Sequence, residues 1–355
     1  MKHKLLTLAL ATILAGNTLA ISNTPQQQLD YTNEAQLSGN AKKYYKKAVA
    51  GDSKAQNAFA TCCYKGDGIS QNYGQAAYWF RKSADQGNPH GEFNMGYCYY
   101  YGKGVSKDYS QAVKWFRPAA EKGLAQAQYM MGRCYFEGTG VPKDMRQSLA
   151  WTYKAADQGH DQAQYCMGWF YKNGEGGVNK DENQASNWYL KSAKQGYAKA
   201  QSEIGERYFS GTGVKKDHSK AYNWFRKAAE QGDRVGQFGV GWFYHNGEVV
   251  KQDYSQAVSW YRKSAEQGYD KAESNLGACY YNGIGVAKDY KQAVYWLSRG
   301  VERGNSSAQH GLGLCYEHGY GVAKDKNKAN ELYRKAARQN HSNAQEKLRK
   351  QGLSW

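Results

Sequence analysis

The chain is 355 residues long and carries 48 Lys plus Arg against 31 Asp plus Glu, a formal net charge of +17. Such an excess favours anionic partners: lipid head groups, acidic polysaccharide or an acidic protein surface. After residue 20 no apolar run approaches membrane-spanning length, which excludes a transmembrane segment from there on.

At the N-terminus Lys2 and Lys4 precede an uncharged apolar run from Leu5 to Ala15, and Thr18-Leu19-Ala20 supplies small residues for cleavage. This predicts a secretory signal peptide of bacterial type over residues 1–20, whose removal takes two lysines and lowers the net charge to +15. No cysteine follows the run, which argues against a lipoprotein, and a periplasmic or secreted location argues against nucleic acid as a partner. Residues 21–35 are polar and glutamine-rich and read as a flexible leader. Residues 36–51, with Tyr44 and Ala48 and an end at Gly51, read as one capping helix.

From residue 52 to 340 a tryptophan returns every 36 residues: Trp79, Trp115, Trp151, Trp188 after one inserted residue, Trp224, Trp260 and Trp296, with Leu332 in the eighth place. Other anchors repeat in phase, as in a solenoid. A small residue such as Gly91 or Ala127 is followed by an apolar residue (Met95, Met131), a glycine (Gly96, Gly132) and, three places on, a tyrosine (Tyr99, Tyr135). These offsets predict an amphipathic helix, A, with all of these anchors on its core face. A Gly-x-Gly turn such as Gly102/Gly104 ends it. Asp108 and its equivalents then start helix B, and Gln111 and its equivalents three residues later suggest a capping box. Two departures stand out. Repeat four carries an extra residue at Gly174-Glu175-Gly176-Gly177, and repeat six has Val249 in place of the second turn glycine, where a β-branched residue should force another path. Residues 341–355, with Ala344 and Leu348, read as a C-terminal capping helix.

The recurring pattern Ala-x3-Leu-Gly-x2-Tyr-x2-Gly-x-Gly-Val-x2-Asp-x3-Ala-x2-Trp-x2-Lys-Ala-Ala-x2-Gly resembles the Sel-one-like repeat of the tetratricopeptide-like group, in eight consecutive copies. The resemblance implies an all-α fold, a right-handed superhelical solenoid of helix pairs with terminal capping helices. It also implies an adaptor for other proteins.

Chemistry is sparse. Cys62, Cys98, Cys134, Cys279 and Cys315 share one repeat position, and equivalent atoms of stacked helices lie roughly 8–10 Å apart, beyond disulfide reach. They read as a ladder of small hydrophobes, with Cys63 and Cys166 less regular. Without Cys-x2-Cys or a nearby histidine, neither a metal site nor any other cofactor is indicated. Resemblance to relatives linked with β-lactamase activity would call for Ser-x-x-Lys, and no serine has lysine three places later. The chain therefore reads as non-enzymatic. Many lysines recur at equivalent helix B positions (Lys82, Lys191, Lys227, Lys263, Lys335) and read as a solvated face.

The functional signal lies on the other side of helix A. Counting from its glycine at about 100° per residue, positions −3, +1 and +4 point away from the core. They hold Phe93, Tyr97, Tyr100, Tyr129, Phe136, Tyr165, Trp169, Phe209, Phe238, Trp242 and Tyr281, with Arg133, Lys172, Glu206 and His245 among them. In a tetratricopeptide-like superhelix this face lines a concave groove, so the stripe predicts a binding surface for a protein or peptide segment. An envelope glycan, peptidoglycan or polysaccharide, stacked on the rings is the alternative.

Overall fold

The computed structural model describes residues 34–355; the predicted signal peptide and nearly all of the leader lie outside the described residues. Glu34–Gln36 form one 3-10 turn. Eighteen α-helices follow, and no strand occurs among the described residues. They are α1 (Gly39–Val49), α2 (Ser53–Lys65), α3 (Tyr73–Asp85), α4 (Pro89–Tyr101), α5 (Tyr109–Glu121), α6 (Ala125–Glu137), α7 (Met145–Asp157), α8 (Asp161–Asn173) and α9 (Glu182–Lys194). The rest are α10 (Ala198–Ser210), α11 (His218–Glu230), α12 (Arg234–Asn246), α13 (Tyr254–Glu266), α14 (Asp270–Asn282), α15 (Tyr290–Glu302), α16 (Ser306–His318), α17 (Lys326–Arg338) and α18 (Ser342–Lys350). Even-numbered helices α2 to α16 are the A helices and odd-numbered α3 to α17 the B helices. They form two compact units, one of residues up to 163 with 175–177, the other of 164–174 with 178–355; within each, successive helices pack on one another.

Every B helix is capped as its sequence suggests. Asp108 accepts a bond from the Gln111 backbone N–H, and Asn72, Asp144, Asp181, Asp217, Asp253, Asp289 and Asp325 act alike. The reciprocal half of a capping box is supplied differently. The cap residue's own N–H donates to the carbonyl of the helix A tyrosine, Asp108 to Tyr99 and Asp144 to Tyr135, so the backbone does what a glutamine side chain would.

The spacing of the two helices in a repeat is set by the helix A glycine. A Cβ at Gly96, Gly168, Gly205, Gly241 or Gly313 would fall 2.5–2.9 Å from the ring of Phe116, Tyr189, Phe225, Tyr261 or Tyr333. That ring directly follows the repeating tryptophan (or Leu332), and it is buried in each case. The tyrosine three places after the glycine packs against the core as expected but is only half-buried in most repeats. The residue before it, Cys98, Cys134, Phe170, Phe243, Cys279 or Cys315, is the one sealed in, because it falls beside the other core positions on the helical wheel. Burial pushes the Cys63 and Cys98 thiols up to about 12 and those of Cys134, Cys279 and Cys315 to about 11, so they pack as neutral apolar groups. In repeat five this position is Arg207, whose guanidinium is neutralised by Glu182 Oε2 (3.1 Å), bonded to Ser186 Oγ (3.0 Å) and laid over the Tyr189 ring.

The second turn glycine allows a close approach between repeats. A Cβ on Gly104 or Gly140 would collide with the carbonyl of Tyr73 or Tyr109, the first residue of the preceding B helix. Val249 was expected to avoid this conformation, but it adopts φ 65° and remains 48% exposed. The surrounding turn holds a β-branched residue in the left-handed region, at a cost of about 1–3 kcal/mol.

A buried polar clasp, unnoticed in the sequence, joins the helices. One residue after the first small anchor of helix A stands Gln56, Gln128, Gln164, Gln201, Gln237 or Gln309. Its amide oxygen accepts from a glutamine just past the end of its own helix B: Gln86, Gln158, Gln195, Gln231, Gln267 or Gln339, at 2.7–3.0 Å. Gln56, Gln128 and Gln201 also donate to Ala48, Ala120 and Ala193 in the last turn of the preceding helix. In two repeats both partners change together, to Glu92 with Lys122 (2.6 Å) and to Glu273 with Arg303 (3.2 Å) and Arg299 (3.1 Å). Since Lys122 also donates to the Gly87 carbonyl, as Gln158 does to that of Gly123, amide and ion pair are interchangeable here. Lys122→Gln alone is therefore expected to lower stability by about 1–3 kcal/mol, leaving Glu92 buried without its cation. Glu92→Gln added to it restores near wild-type thermal unfolding, and a double mutant no more stable than Lys122→Gln overturns the equivalence.

Candidate functional site

The outward stripe of the A helices is neither bare nor sealed. In the first unit Phe93 is half-buried against Phe116 (centroids 5.8 Å apart), Tyr97 lies against Tyr101 (4.4 Å) and Tyr129 stacks on His160 (4.7 Å). Arg133 pairs with Glu137 at 2.9 Å, and Phe136 is 37% exposed. Tyr100 departs from the expectation that it faces water. It is only 6% exposed, with its hydroxyl donating to Glu137 Oε2 (2.8 Å) and its ring against Tyr109, because a hydrogen-bond partner in the next repeat and an adjoining ring draw it inward. Tyr101, which the pattern did not single out, is 43% exposed beside it.

Phe93 and Tyr97 also line a cavity of about 210 Å³ with Tyr64, Phe80 and Asn94, and the second unit continues the stripe. Tyr165 packs against Tyr189 and Tyr197, Trp169 meets Phe170 edge-on, and Lys172 pairs with Glu203 at 3.1 Å. His245 lies edge-on to Tyr254, and Tyr281 touches Tyr290 and Tyr320. Phe209, Phe238 and Trp242 come together around a cavity of about 190 Å³ that is also lined by Glu206, Phe225, Val235, Gly239, Phe243 and Lys271. Trp242 presents its edge to Phe209 at 4.7 Å, and Phe209 is backed by His218, stacked at 4.9 Å and held by Glu248. Phe238 is fixed by Tyr261 and Tyr269. Gly239 also lines the cavity, and a Cβ there would collide with the Phe225 ring at 2.5 Å, so the glycine lets that ring pack against the helix.

The arrangement offers rigid aromatic walls and few polar groups, suited to binding. Among the described residues no cluster of His, Cys, Asp or Glu could hold a metal ion, and no helix is long and apolar enough to cross a membrane. The sequence pattern pointed to Phe209, Phe238, Trp242 and Glu206, but not to Lys271 or Gly239. Neither was marked by its repeat position, since Gly311 and Lys199 hold the same residue types at the equivalent positions of repeats eight and five.

The Sel1 repeat family model matches the chain eight times, over residues 53–88, 89–124, 125–160, 161–197, 198–233, 235–269, 270–305 and 306–341. The structure is similar to that of a protective antigen present in uropathogenic Escherichia coli strains and displaying an SLR fold. Identity is 38% over 87% of this chain and 66% of that one, with a TM-score of 0.72. This chain thus spans just under two thirds of the antigen's length. It is also similar to a Sel1 repeat protein from Oxalobacter formigenes, with 29% identity over 88% of this chain and 90% of that one and a TM-score of 0.57. Among curated proteins none matches.

Glu206 is open to water yet crowded by protein, as a carboxylate in an open cleft must be. Burial and the neighbouring Glu203 raise its pKa, against the opposing pull of Lys271 and Lys172. A carboxyl raised in the folded state lowers stability as pH rises from the ordinary carboxylate range through its folded pKa. Glu206→Gln should therefore raise Tm at pH 7. The advantage should vanish near pH 3, and an equal Tm for the two proteins at pH 7 counts against the assignment.

Proposed function

From the premise that this chain belongs to the Sel1 repeat family, we propose that it is an exported scaffold that holds a segment of another protein against the aromatic face of its A helices. Sel1 repeat proteins are generally non-catalytic protein-interaction scaffolds, which gives the reading its class. The single observation that carries the rest is the convergence of Phe209, Phe238 and Trp242 on a partly open cavity, where rings are fixed by their neighbours and still reach solvent. Rigid aromatic anchors of this kind lose little entropy on binding and dominate protein interfaces. Export is supported by the signal pattern of residues 1–20 and by similarity to a protective antigen.

A cavity of about 190 Å³ is below the roughly 300–1,000 Å³ of sites that engulf a whole small ligand, and it suits one side chain of a longer segment. A polysaccharide stacked along the rings would spread its energy over many of them. Trp242→Ala combined with Trp169→Ala should therefore weaken capture of a cross-linked envelope protein by at least about 100-fold, as loss of two central anchors does. Retention of murein fragments by the double mutant, with no protein captured by either form, would favour the glycan instead. Export is checked by N-terminal sequencing of the protein recovered from the periplasm or medium, where Ile21 is the expected first residue.

A further inference from the structure

The partner expected from composition is anionic, but the cavity in the second unit has the opposite chemistry. Its one carboxylate, Glu206, stands among Phe209, Phe238 and Trp242, aromatic residues of the kind that attract a cation. The neighbouring acid Glu203 already has Lys172 at 3.1 Å, whereas Glu206 makes no ion pair within 4 Å among the described residues. Asp233 spends its side chain capping α12, accepting from the Gly236 N–H. Lys271, an exposed side chain from α14, is the only cation lining the cavity.

Resting on the scaffold reading above, we propose that this cavity receives a lysine or arginine side chain of the bound polypeptide segment, with Glu206 as its counter-charge and Phe209, Phe238 and Trp242 as its walls. Charge complementarity carries the choice. A carboxylate whose ionised form is disfavoured by its surroundings regains that energy when a cation arrives, and the rings hold the aliphatic stem of the side chain. An acidic side chain would meet the like charges of Glu206 and Glu203, only partly offset by Lys271. A purely apolar one would leave the Glu206 carboxylate further desolvated and uncompensated. Lys271 opposes the guest and sets the selectivity: its flexible stem can swing into water, at a cost only a well-seated cation offsets.

The experiment pans a random heptapeptide phage library against the full exported chain. The best peptide, and its counterpart with the central basic residue replaced by glutamine, are then titrated calorimetrically into wild type, Glu206→Gln and Lys271→Met. The proposal expects enrichment of Lys or Arg flanked by apolar residues. It further expects affinity to fall about tenfold both in Glu206→Gln and in the glutamine peptide, and to rise in Lys271→Met. Glu206→Gln is near-isosteric and relieves an unfavourable charge, so loss of folding does not confuse the result. Enriched peptides without basic preference, lost in Trp169→Ala/Trp242→Ala but indifferent to Glu206→Gln, overturn the cation assignment and leave the scaffold standing. Enrichment of acidic peptides does the same, and a library from which nothing is enriched removes both.

Discussion

A missing side chain fixes the distance between the two helices of each repeat. Where Gly96, Gly205 or Gly241 stands, the opposing ring of Phe116, Phe225 or Tyr261 lies so close that even a methyl group would be an overlap. Close packing of this kind allows no gradual adjustment, since interiors are as dense as organic crystals. Once helix A is seated against its own helix B by the glycine and clasped by the buried glutamine pair, its remaining face is determined. Positions −3, +1 and +4 then lie on the side away from helix B. The aromatic rings on that face serve the fold in part, for Phe93, Tyr165 and Phe238 pack on Phe116, Tyr189 and Tyr261 while remaining only half-buried.

The periodic parts of the chain were legible because periodicity is what the sequence carries most redundantly. The tryptophan interval, the cap aspartates and the turn glycines each recur seven or eight times, and helix pairs follow from them. The helical wheel placed Tyr99 and its equivalents on the core face, where they do pack, but it understated how deeply Cys98 and its equivalents are sealed; tyrosine is amphipathic and half-burial satisfies it. The glutamine clasp is not legible in the sequence, because glutamine at a buried position looks like a solvent residue until its partner is known. The joint change of Gln to Glu92 and Gln to Lys122 held the information, but only to a reader already pairing residues 30 apart. Tyr100 and Val249 failed for a similar reason. Both obey tertiary neighbours, Glu137 in one case and the fixed turn in the other, over local preference.

Charge follows the same division between repeated and singular. Much of the basic excess is part of the repeat, for Lys154, Lys191, Lys227 and Lys263 each lie over the tryptophan three residues earlier, at 4.3, 4.1, 4.6 and 4.2 Å. Such contacts contribute about 0.5–1 kcal/mol each at exposed sites, and they turn an apparent polyanion-binding face into part of the helix B surface. Against this regular background Glu206 is singular. It takes a position held by tyrosine, arginine or tryptophan in repeats two, three, four and six, and it is placed where its charge costs stability.

The irregular residues of repeat six converge on that same place. The left-handed Val249 follows Glu248, which reaches back to His218; His218 stacks on Phe209, and Phe209 is a wall of the cavity that Glu206 lines. Gly239, which also lines the cavity, belongs to the same repeat. Val249 and Glu206 depart from the repeat pattern in a direction that lowers stability, through backbone strain and a carboxylate disfavoured by burial. Strain and a disfavoured charge of this kind are what a binding site can hold where the surrounding repeats are stable enough to carry them.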